Sequence, residues 1–224
     1  MVKYIFAIVI SAVISYLLGS CNSSIITVRL MKGEDIRKFG SGNAGLTNTL
    51  RCFGKLPALI TLLGDLLKGV VAVFICKFVC TLLDAGIGAD SDIRYIGYIA
   101  GLFAVIGHIF PVYYGFKGGK GVLVGVSVFL VIDPAVFGIL ILIFAVMLII
   151  THYVSVSSIT ASALCPFVTF FMRYFAEKVP MNITLLHTAL TLPICLLVIY
   201  MHRSNIERLK NGTENRFSFK KKEE

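Results

Sequence analysis

The chain has 224 residues, of which 57% are hydrophobic and only 15% are charged, and its formal net charge is +9. Soluble domains are usually about a quarter charged, so this composition argues against a soluble enzyme and favours a polytopic membrane protein. The sequence has no nucleic-acid-binding motif, and the positive charge is better explained by membrane topology and by anionic lipid or phosphate ligands.

Seven apolar runs predict an all-α fold, a polytopic transmembrane bundle of about seven helices. A spanning helix needs about 20 mostly apolar residues. The runs cover residues 4–30, 56–83, 95–114, 121–132, 135–153, 154–175 and 183–201. The fourth is short, so it either includes the glycine-rich segment before it or is partly re-entrant. Pro111, Pro166 and Pro193 are expected to kink or end helices.

The first run ends in Leu18-Gly19-Ser20-Cys21, which resembles a lipoprotein cleavage box. Lys3 alone makes a weak basic segment before this run, and many further runs follow, so we favour an uncleaved first helix. None of the six cysteines forms a CxxC pair, and most lie in apolar runs. This pattern is typical of small buried side chains.

Basic residues predict the orientation of the chain. Segments 29–55, 117–120 and 203–222 contain 15 of the 21 Lys and Arg residues, and seven spans would place all three segments on one side. By the positive-inside rule that side is cytoplasmic, which puts the N-terminus outside and the C-terminus in the cytoplasm. We expect one transmembrane domain over residues 1–203 and a basic cytoplasmic tail over residues 204–224.

The first polar motif is GSGNAGLTNTLR, residues 40–51. Its glycines let the backbone turn and approach a ligand closely. Its neutral polar side chains can form hydrogen bonds, and Arg51 offers a planar fork that suits phosphate. A helix that started nearby would add its free amides to an anion site. The alternative is a flexible loop with incidental polarity.

The second polar motif is GHIFPVYYGFKGGKG, residues 107–121. Glycines around Lys117 and Lys120 predict a backbone nest for phosphate. It is not a Walker A loop, because the spacing is one residue short and no Ser or Thr follows the lysine. His108 alone is typical of a structural histidine at a helix end. Asp65 and Lys68, three residues apart, predict a neutralising pair that faces the bundle and could brace the site.

The third polar motif is HRSNIERLKNGTE, residues 202–214. His202 and Asn205 would share a helix face, which suits proton handling or hydrogen bonding to a substrate. The alternative is a lipid-facing polybasic tail. Together the three motifs predict a site for a phosphorylated ligand at the membrane surface.

In this order the three motifs resemble those of the bacterial acyl-phosphate:glycerol-3-phosphate acyltransferase family, and the resemblance spans nearly the whole chain. The family's activity implies acyl transfer from a long-chain acyl-phosphate to the 1-hydroxyl of glycerol-3-phosphate, giving lysophosphatidic acid and inorganic phosphate. This reaction is the first acylation step of phospholipid synthesis. The resemblance also implies a bacterial cytoplasmic (inner) membrane location, with membrane lipid around the protein and the active site on the cytoplasmic face.

The resemblance implies a role for individual residues, and residues 204–214 would complete the active site. The implied catalytic residues are Ser41, Asn43, Arg51, His202 and Asn205. The implied substrate-binding residues are Gly40, Gly42, Thr47, Asn48, Lys117, Gly118, Gly119, Lys120 and Gly121. We expect no metal, no cofactor, no nucleic acid and no obligatory protein partner. Departures from the family pattern occur at Leu46, at Leu123-Val124 and at Cys21-Asn22-Ser23.

The sequence does not decide which group accepts the hydroxyl proton. The usual acyltransferase His-x4-Asp signature is absent. We hypothesise that a substrate phosphate oxygen is the base, with His202 as the second candidate and Ser41 as a covalent nucleophile as the third. A transporter for an organophosphate is the alternative function, and it would need polar residues at mid-depth in several helices, which only Asp65 and Lys68 approach.

Overall fold

The computed structural model describes residues 2–83 and 94–217, and within them every regular element is helical, which confirms the all-α prediction. The α-helices are α1 (Val2–Ser20), α2 (Ser23–Lys32), α3 (Leu46–Phe53), α4 (Lys55–Leu82), α5 (Arg94–Ile109), α6 (Val122–Ile132), α7 (Pro134–Thr151), α8 (Val154–Phe171), α9 (Met181–Met201) and α10 (Arg203–Lys210). Short 3-10 turns cover Ile36–Lys38 and Val112–Tyr114, and a π-helical turn covers Met172–Ala176.

Six helical segments of the described chain are long and apolar enough to cross a membrane. They are Val2–Lys32, Lys55–Leu82, Arg94–Tyr114, Pro134–Thr151, Val154–Ala176 and Met181–Met201. The α4 side chains Leu63, Leu67 and Phe78 are each more than half exposed, which indicates a lipid-facing surface. Helix α6 has 11 residues and a length of about 16 Å, roughly half the hydrocarbon thickness. The short fourth run is therefore a separate short helix beside six candidate spans.

The first apolar run is interrupted, which corrects the prediction of one continuous helix over residues 4–30. Helix α1 ends at Ser20 and α2 begins at Ser23. Asn22 has extended backbone angles, and its Oδ1 accepts hydrogen bonds from the Ile25 amide at 3.1 Å and the Ser24 hydroxyl at 3.0 Å. This side chain caps α2 and satisfies amides that a break in a helix leaves unpaired.

The chain divides into two compact units, residues 1–133 and 134–224. In the first unit, α1 packs against α4 and α5, and α6 packs against α4 and α5. The close packing of α1 against α5 depends on glycine, because a Cβ at Gly19 would collide with the Ala104 backbone. Small residues let membrane helices pack tightly in this way. The packing fixes the helix ends that carry the first and second polar motifs.

In the second unit, α7 packs against α8, and α8 packs against α9. Pro166 and Pro193 lie inside α8 and α9, whereas Pro111 follows the end of α5, as predicted for a helix-ending proline. Helix α10 starts directly after His202, which caps the C-terminus of α9 and the N-terminus of α10. The boundary at residues 203/204 and the orientation of the termini stay predictions.

Candidate active site

The first motif forms a tight loop followed by α3. Gly40 and Gly42 have positive φ angles of 56° and 70°, which favour glycine. The Asn48 side chain, 2% exposed on α3, accepts a hydrogen bond from the Ser41 amide at 3.0 Å and donates to the Phe39 carbonyl at 2.9 Å. Asn48, expected to bind substrate, thus shapes the loop that carries Ser41. Its direct contact with substrate stays a prediction.

The polar side chains of this motif differ in exposure. Ser41 and Arg51 are exposed, and Asn43 and Thr47 are half-buried. Helix α3 begins at Leu46 without a side-chain cap from its N-cap residue, so its first amides point out of the helix end. A phosphate placed there would gain these amides and the positive end of the helix dipole. The motif therefore presents a hydroxyl, a guanidinium and a helix N-terminus on one short segment.

The second motif uses its glycines differently from the prediction. The Gly118 amide donates to the Ile109 carbonyl at 3.0 Å, and the Gly119 amide donates to the His108 carbonyl at 3.1 Å. These two amides bond back to the end of α5, which corrects the prediction that they donate to a phosphate, whereas substrate binding by the motif as a whole stays a prediction. Lys117 is exposed and Lys120 is half-buried, and their side chains remain the cations of the motif.

Glycine is required at position 119 for packing. A Cβ there would lie against the His108 Nε2 atom and 2.5 Å from the Ala44 carbonyl oxygen. The second motif thus touches the first at this point, with the backbone of each against the other. Gly121, with φ of 80°, then turns the chain into α6. The contact of Gly121 with substrate stays a prediction.

Arg37, which lies three residues before the first motif, anchors the second motif through hydrogen bonds. Its Nη1 donates to the Tyr114 carbonyl at 2.6 Å and to the Lys117 carbonyl at 3.1 Å. Its other guanidinium nitrogens bond Asp35 at 2.7 and 3.0 Å, and Arg29 adds a further bond to Asp35 at 3.0 Å. The bond from Arg37 holds the pKa of the Asp35 carboxyl well below its ordinary value, and Asp35 raises the pKa of Arg37. The pair therefore stays ionised at neutral pH and anchors residues 114–120, called the lysine loop below.

A buried polar cluster lies behind the second motif. The Lys68 ammonium contacts Asp65 Oδ1 at 2.8 Å, His108 Nδ1 at 2.8 Å and the Cys21 carbonyl at 3.2 Å. Asp65, Lys68 and His108 are 1%, 7% and 3% exposed. The predicted Asp65–Lys68 pair is confirmed, and the structure adds His108 to it. Opposite charges in contact offset the cost of placing each inside a membrane helix.

The third motif lies in the second unit. His202 is buried, and its Nδ1 donates to the Val198 carbonyl at 2.8 Å. Because a carbonyl only accepts, Nδ1 carries the proton and Nε2 is the basic nitrogen of the neutral ring. That tautomer suits a proton acceptor. Convergence of this motif with the first two stays a prediction.

Glu214 organises the end of the third motif. Its Oε1 accepts hydrogen bonds from Asn205 at 2.6 Å and from Ser155 on α8 at 2.8 Å, and its Oε2 accepts from Arg208 at 2.7 Å. Burial tends to raise the pKa of Glu214, but these hydrogen bonds outweigh it and lower the pKa below its ordinary value. Asn205, expected to be catalytic, thus also holds the segment after α10 against α8.

Sequence reasoning missed the residues that support the motifs. They are Asn22, Asp35, Arg37 and Glu214. Asn22 connects the start of α2 to the first motif by donating to the Ala44 carbonyl at 3.3 Å. Of these four residues, Glu214 could have been singled out from the sequence, because it is a carboxylate in a basic motif directly after Gly212 and Thr213. Within residues 2–83 and 94–217, no group of three His, Cys, Asp or Glu side chains is placed to hold a metal ion.

Comparison with known sequences gives matches over nearly the full chain. The family model for glycerol-3-phosphate acyltransferase matches residues 9–212. The glycerol-3-phosphate acyltransferase of Clostridioides difficile (strain 630) is 40% identical over 217 residues, covering 97% of this chain and 98% of the relative. That of Syntrophomonas wolfei subsp. wolfei (strain DSM 2245B / Goettingen) is 41% identical over 208 residues, covering 93% and 96%.

Two solved structures share the fold. The crystal structure of PlsY (YgiH), an integral membrane glycerol 3-phosphate acyltransferase, in its glycerol 3-phosphate form superposes with a TM-score of 0.76 at 33% identity, covering 94% of this chain and 96% of that chain. Its lysophosphatidic acid form gives a TM-score of 0.74 at 31% identity, covering 94% and 95%.

Proposed function

We propose that this chain, which belongs to the glycerol-3-phosphate acyltransferase family and is an integral membrane acyltransferase, takes its acyl group from a long-chain acyl-phosphate. Family membership already decides against the transporter alternative. In the proposed reaction the 1-hydroxyl oxygen of glycerol-3-phosphate bonds to the acyl carbonyl carbon. The bond from that carbon to the phosphate oxygen breaks, and the hydroxyl proton leaves on inorganic phosphate. The other product is lysophosphatidic acid, so this is the first acylation step of phospholipid synthesis.

One observation carries this proposal: the first two polar motifs are joined into one surface. Gly119 lies against the Ala44 carbonyl, and Arg37, three residues before the first motif, bonds the Lys117 carbonyl. The joined surface carries Lys117, Lys120, Ser41 and Arg51, which suits two substrates that each bear a phosphate. Holding both reactants on one surface supplies much of the acceleration that a two-substrate reaction needs.

Individual roles follow from the groups available. Lys117 and Lys120 neutralise the phosphate of glycerol-3-phosphate, while Ser41, Arg51 and the first amides of α3 hold and orient the second phosphate. A cation or amide donor near the carbonyl stabilises the oxyanion that forms during attack. The departing phosphate oxygen takes the hydroxyl proton, and His202 is the second candidate because its Nε2 is the basic nitrogen.

The acyl chain has a candidate groove within the second unit. A largely apolar groove of about 570 Å³ lies between α8 and α9 and is lined by residues that include Ala163, Phe167, Thr188, Leu196 and Ile199. From Thr188 to Ile199 the helix advances about 16 Å, which is close to the length of a long acyl chain. Ala163→Phe is expected to shift the ratio of kcat/KM from palmitoyl-phosphate towards decanoyl-phosphate. An unchanged ratio would remove the groove from the proposal.

We place the active surface on the cytoplasmic face of the bacterial inner membrane. The reason is the concentration of Lys and Arg in segments 29–55, 117–120 and 203–222, because basic residues favour the cytoplasmic side. A fluorescent protein fused to the C-terminus should fluoresce, and alkaline phosphatase fused there should be inactive. The opposite pair of results would reverse the orientation.

The donor is tested by phosphate release from protein purified in detergent. Glycerol-3-phosphate is supplied with palmitoyl-phosphate or with palmitoyl-CoA, and phosphate, free thiol and lysophosphatidic acid are measured. We expect turnover with palmitoyl-phosphate only, strongly reduced in Arg51→Ala. Lys32→Ala, which removes an exposed cation at the end of α2, is the matched control and should retain activity. Turnover with palmitoyl-CoA alone would contradict the acyl-phosphate proposal.

A further inference from the structure

The segment that follows α10, residues 212–217, turns back towards the start of α8, and we call it the C-terminal strap. Gly212 has a φ of 68°, a left-handed conformation that favours glycine, and the Thr213 amide donates to the Arg208 carbonyl at 2.8 Å. These two features end α10 and turn the chain. Residues 215–217 lie beyond the three motifs, and none of them has a role in the proposed function.

Two contacts fasten the end of the strap to the turn between α7 and α8. The Arg216 Nε atom donates to the Tyr153 hydroxyl at 3.1 Å, and the guanidinium lies 5.6 Å from the centroid of the same ring. The Phe217 amide donates to the His152 carbonyl at 2.7 Å. His152 has a φ of 59°, which is uncommon for a residue other than glycine and persists where the surroundings hold the backbone. Side-chain and backbone contacts thus meet at one turn.

Glu214 lies between these fastenings and α10, and it determines how the Asn205 amide is oriented. A carboxylate only accepts hydrogen bonds, so Asn205 turns its Nδ2 towards Glu214, at 2.6 Å. Ser155 and Arg208 donate to the same carboxylate at 2.8 and 2.7 Å. These bonds fix the carboxylate at the start of α8, where the helix dipole also favours negative charge. The orientation of Asn205 therefore depends on the place of the strap.

We propose that Tyr153 and Arg216 are positioning residues for acyl transfer, because together they hold the strap on the α7–α8 turn and so keep Glu214 where it orients Asn205. This inference rests on the proposed function, in which Asn205 belongs to the active site. A group that faces a substrate must be held to a fraction of an ångström, and residues that do not touch the substrate supply part of this precision. The strap carries the effect from an exposed arginine to a buried amide.

Exposure makes Arg216 a better residue to change than Glu214. The Glu214 side chain is 7% exposed, and its removal would leave Arg208 without its partner carboxylate, which mixes positioning with stability. Arg216 is exposed, so Arg216→Ala weakens the fastening without burying an unpaired group. Asn215→Ala changes another exposed side chain of the strap and is the matched control. Arg216→Lys keeps a cation beside the Tyr153 ring and is the conservative variant.

The first experiment measures how firmly the strap is held and needs no substrate. Ser155 is 4% exposed and bonds Glu214, so Ser155→Cys places a thiol beside the strap. In this background, labelling of residue 155 by N-ethylmaleimide in detergent is followed by mass spectrometry of its peptide. Arg216→Ala should raise the labelling rate by about three- to tenfold, and Tyr153→Phe should raise it less and add nothing to Arg216→Ala. Equal rates in Arg216→Ala and Asn215→Ala would overturn the inference.

The second experiment tests whether the strap acts on the reaction through Asn205. Phosphate release from palmitoyl-phosphate and glycerol-3-phosphate is measured well below the unfolding temperature of each variant, so that loss of folded protein does not contribute. In Arg216→Ala kcat/KM should fall by about three- to tenfold, with most of it restored in Arg216→Lys and no loss in Asn215→Ala. The Arg216→Ala change should add little in an Asn205→Ala background, since coupled residues are not additive. An equal fall in both backgrounds would show that Arg216 does not act through Asn205.

Failure of the inference is distinguishable from failure of the proposed donor. If wild-type protein releases no phosphate from palmitoyl-phosphate but transfers from palmitoyl-CoA, the donor proposal fails, and the Arg216 variants are compared with that donor. If Arg216→Ala labels faster at residue 155 but keeps the kcat/KM of wild type, the strap is fastened by Arg216 without positioning Asn205. That result would overturn only the inference about the strap.

Discussion

Removing the Arg37 side chain should weaken glycerol-3-phosphate binding while leaving the reaction step largely intact. Arg37 donates two charge-assisted hydrogen bonds to the lysine loop, to the carbonyls of Tyr114 and Lys117. Such bonds contribute about 1.5–3 kcal/mol each, and the low end applies because the side chain is 23% exposed. Arg37→Ala therefore removes about 3 kcal/mol of loop anchoring.

Part of this loss should appear as weaker binding of glycerol-3-phosphate, because the substrate must then order the loop. With about 1.4 kcal/mol for each tenfold change, KM for glycerol-3-phosphate should rise by about 10- to 100-fold, with kcat within about threefold of wild type. Lys38→Ala, which removes the adjacent exposed cation, is the matched control. The assay is steady-state phosphate release, with thermal unfolding to show that both variants are folded. A wild-type KM in Arg37→Ala would refute the idea that this arginine positions the lysine loop.

Two further predictions concern packing and pH. Gly119→Ala should raise KM for glycerol-3-phosphate and destabilise the fold by about 1–3 kcal/mol, because its Cβ would press on His108 and Ala44. Gly138→Ala, with open space around it, is the control and should be neutral in both assays. Equal melting temperatures for Gly119→Ala and Gly138→Ala would contradict this prediction. Glu214→Gln should lower the melting temperature at neutral pH. Because the folded-state pKa of Glu214 is lowered, the stabilisation by its carboxylate is present above the ordinary pKa of 4.5 and is lost as pH falls through the folded pKa. The difference in melting temperature between wild type and Glu214→Gln should therefore narrow below about pH 4.5. A difference that does not change with pH would refute the assignment.

Apolar patterning predicted most of the helices because length and hydrophobicity are local properties. The runs over residues 56–83 and 183–201 agree closely with α4 and α9. The break at Asn22 was missed, because it depends on one side chain that caps α2 and reaches Ala44, 22 residues further along the chain. Hydropathy does not detect a polar cap inside an apolar run.

Motif chemistry predicted which loops would carry the site, which stays a prediction, but it did not predict how their backbone atoms are used. The amides of Gly118 and Gly119 were predicted to donate to a phosphate. They donate instead to carbonyls at the end of α5, and the two glycines allow close packing there. The ion pair of Asp65 and Lys68 was predictable from their spacing of three residues. The addition of His108, 40 residues from Lys68, required the packing of α4 against α5. A single sequence does not reveal such contacts between different helices.

The most direct test of acyl transfer from acyl-phosphate is the ratio of products that the purified protein makes from palmitoyl-phosphate and glycerol-3-phosphate. We expect one inorganic phosphate to be released for each lysophosphatidic acid formed, with the acyl group on the 1-hydroxyl. Both products should be lost together in Arg51→Ala and retained in Lys32→Ala. Phosphate release without lysophosphatidic acid, or lysophosphatidic acid formed without phosphate release, would contradict it.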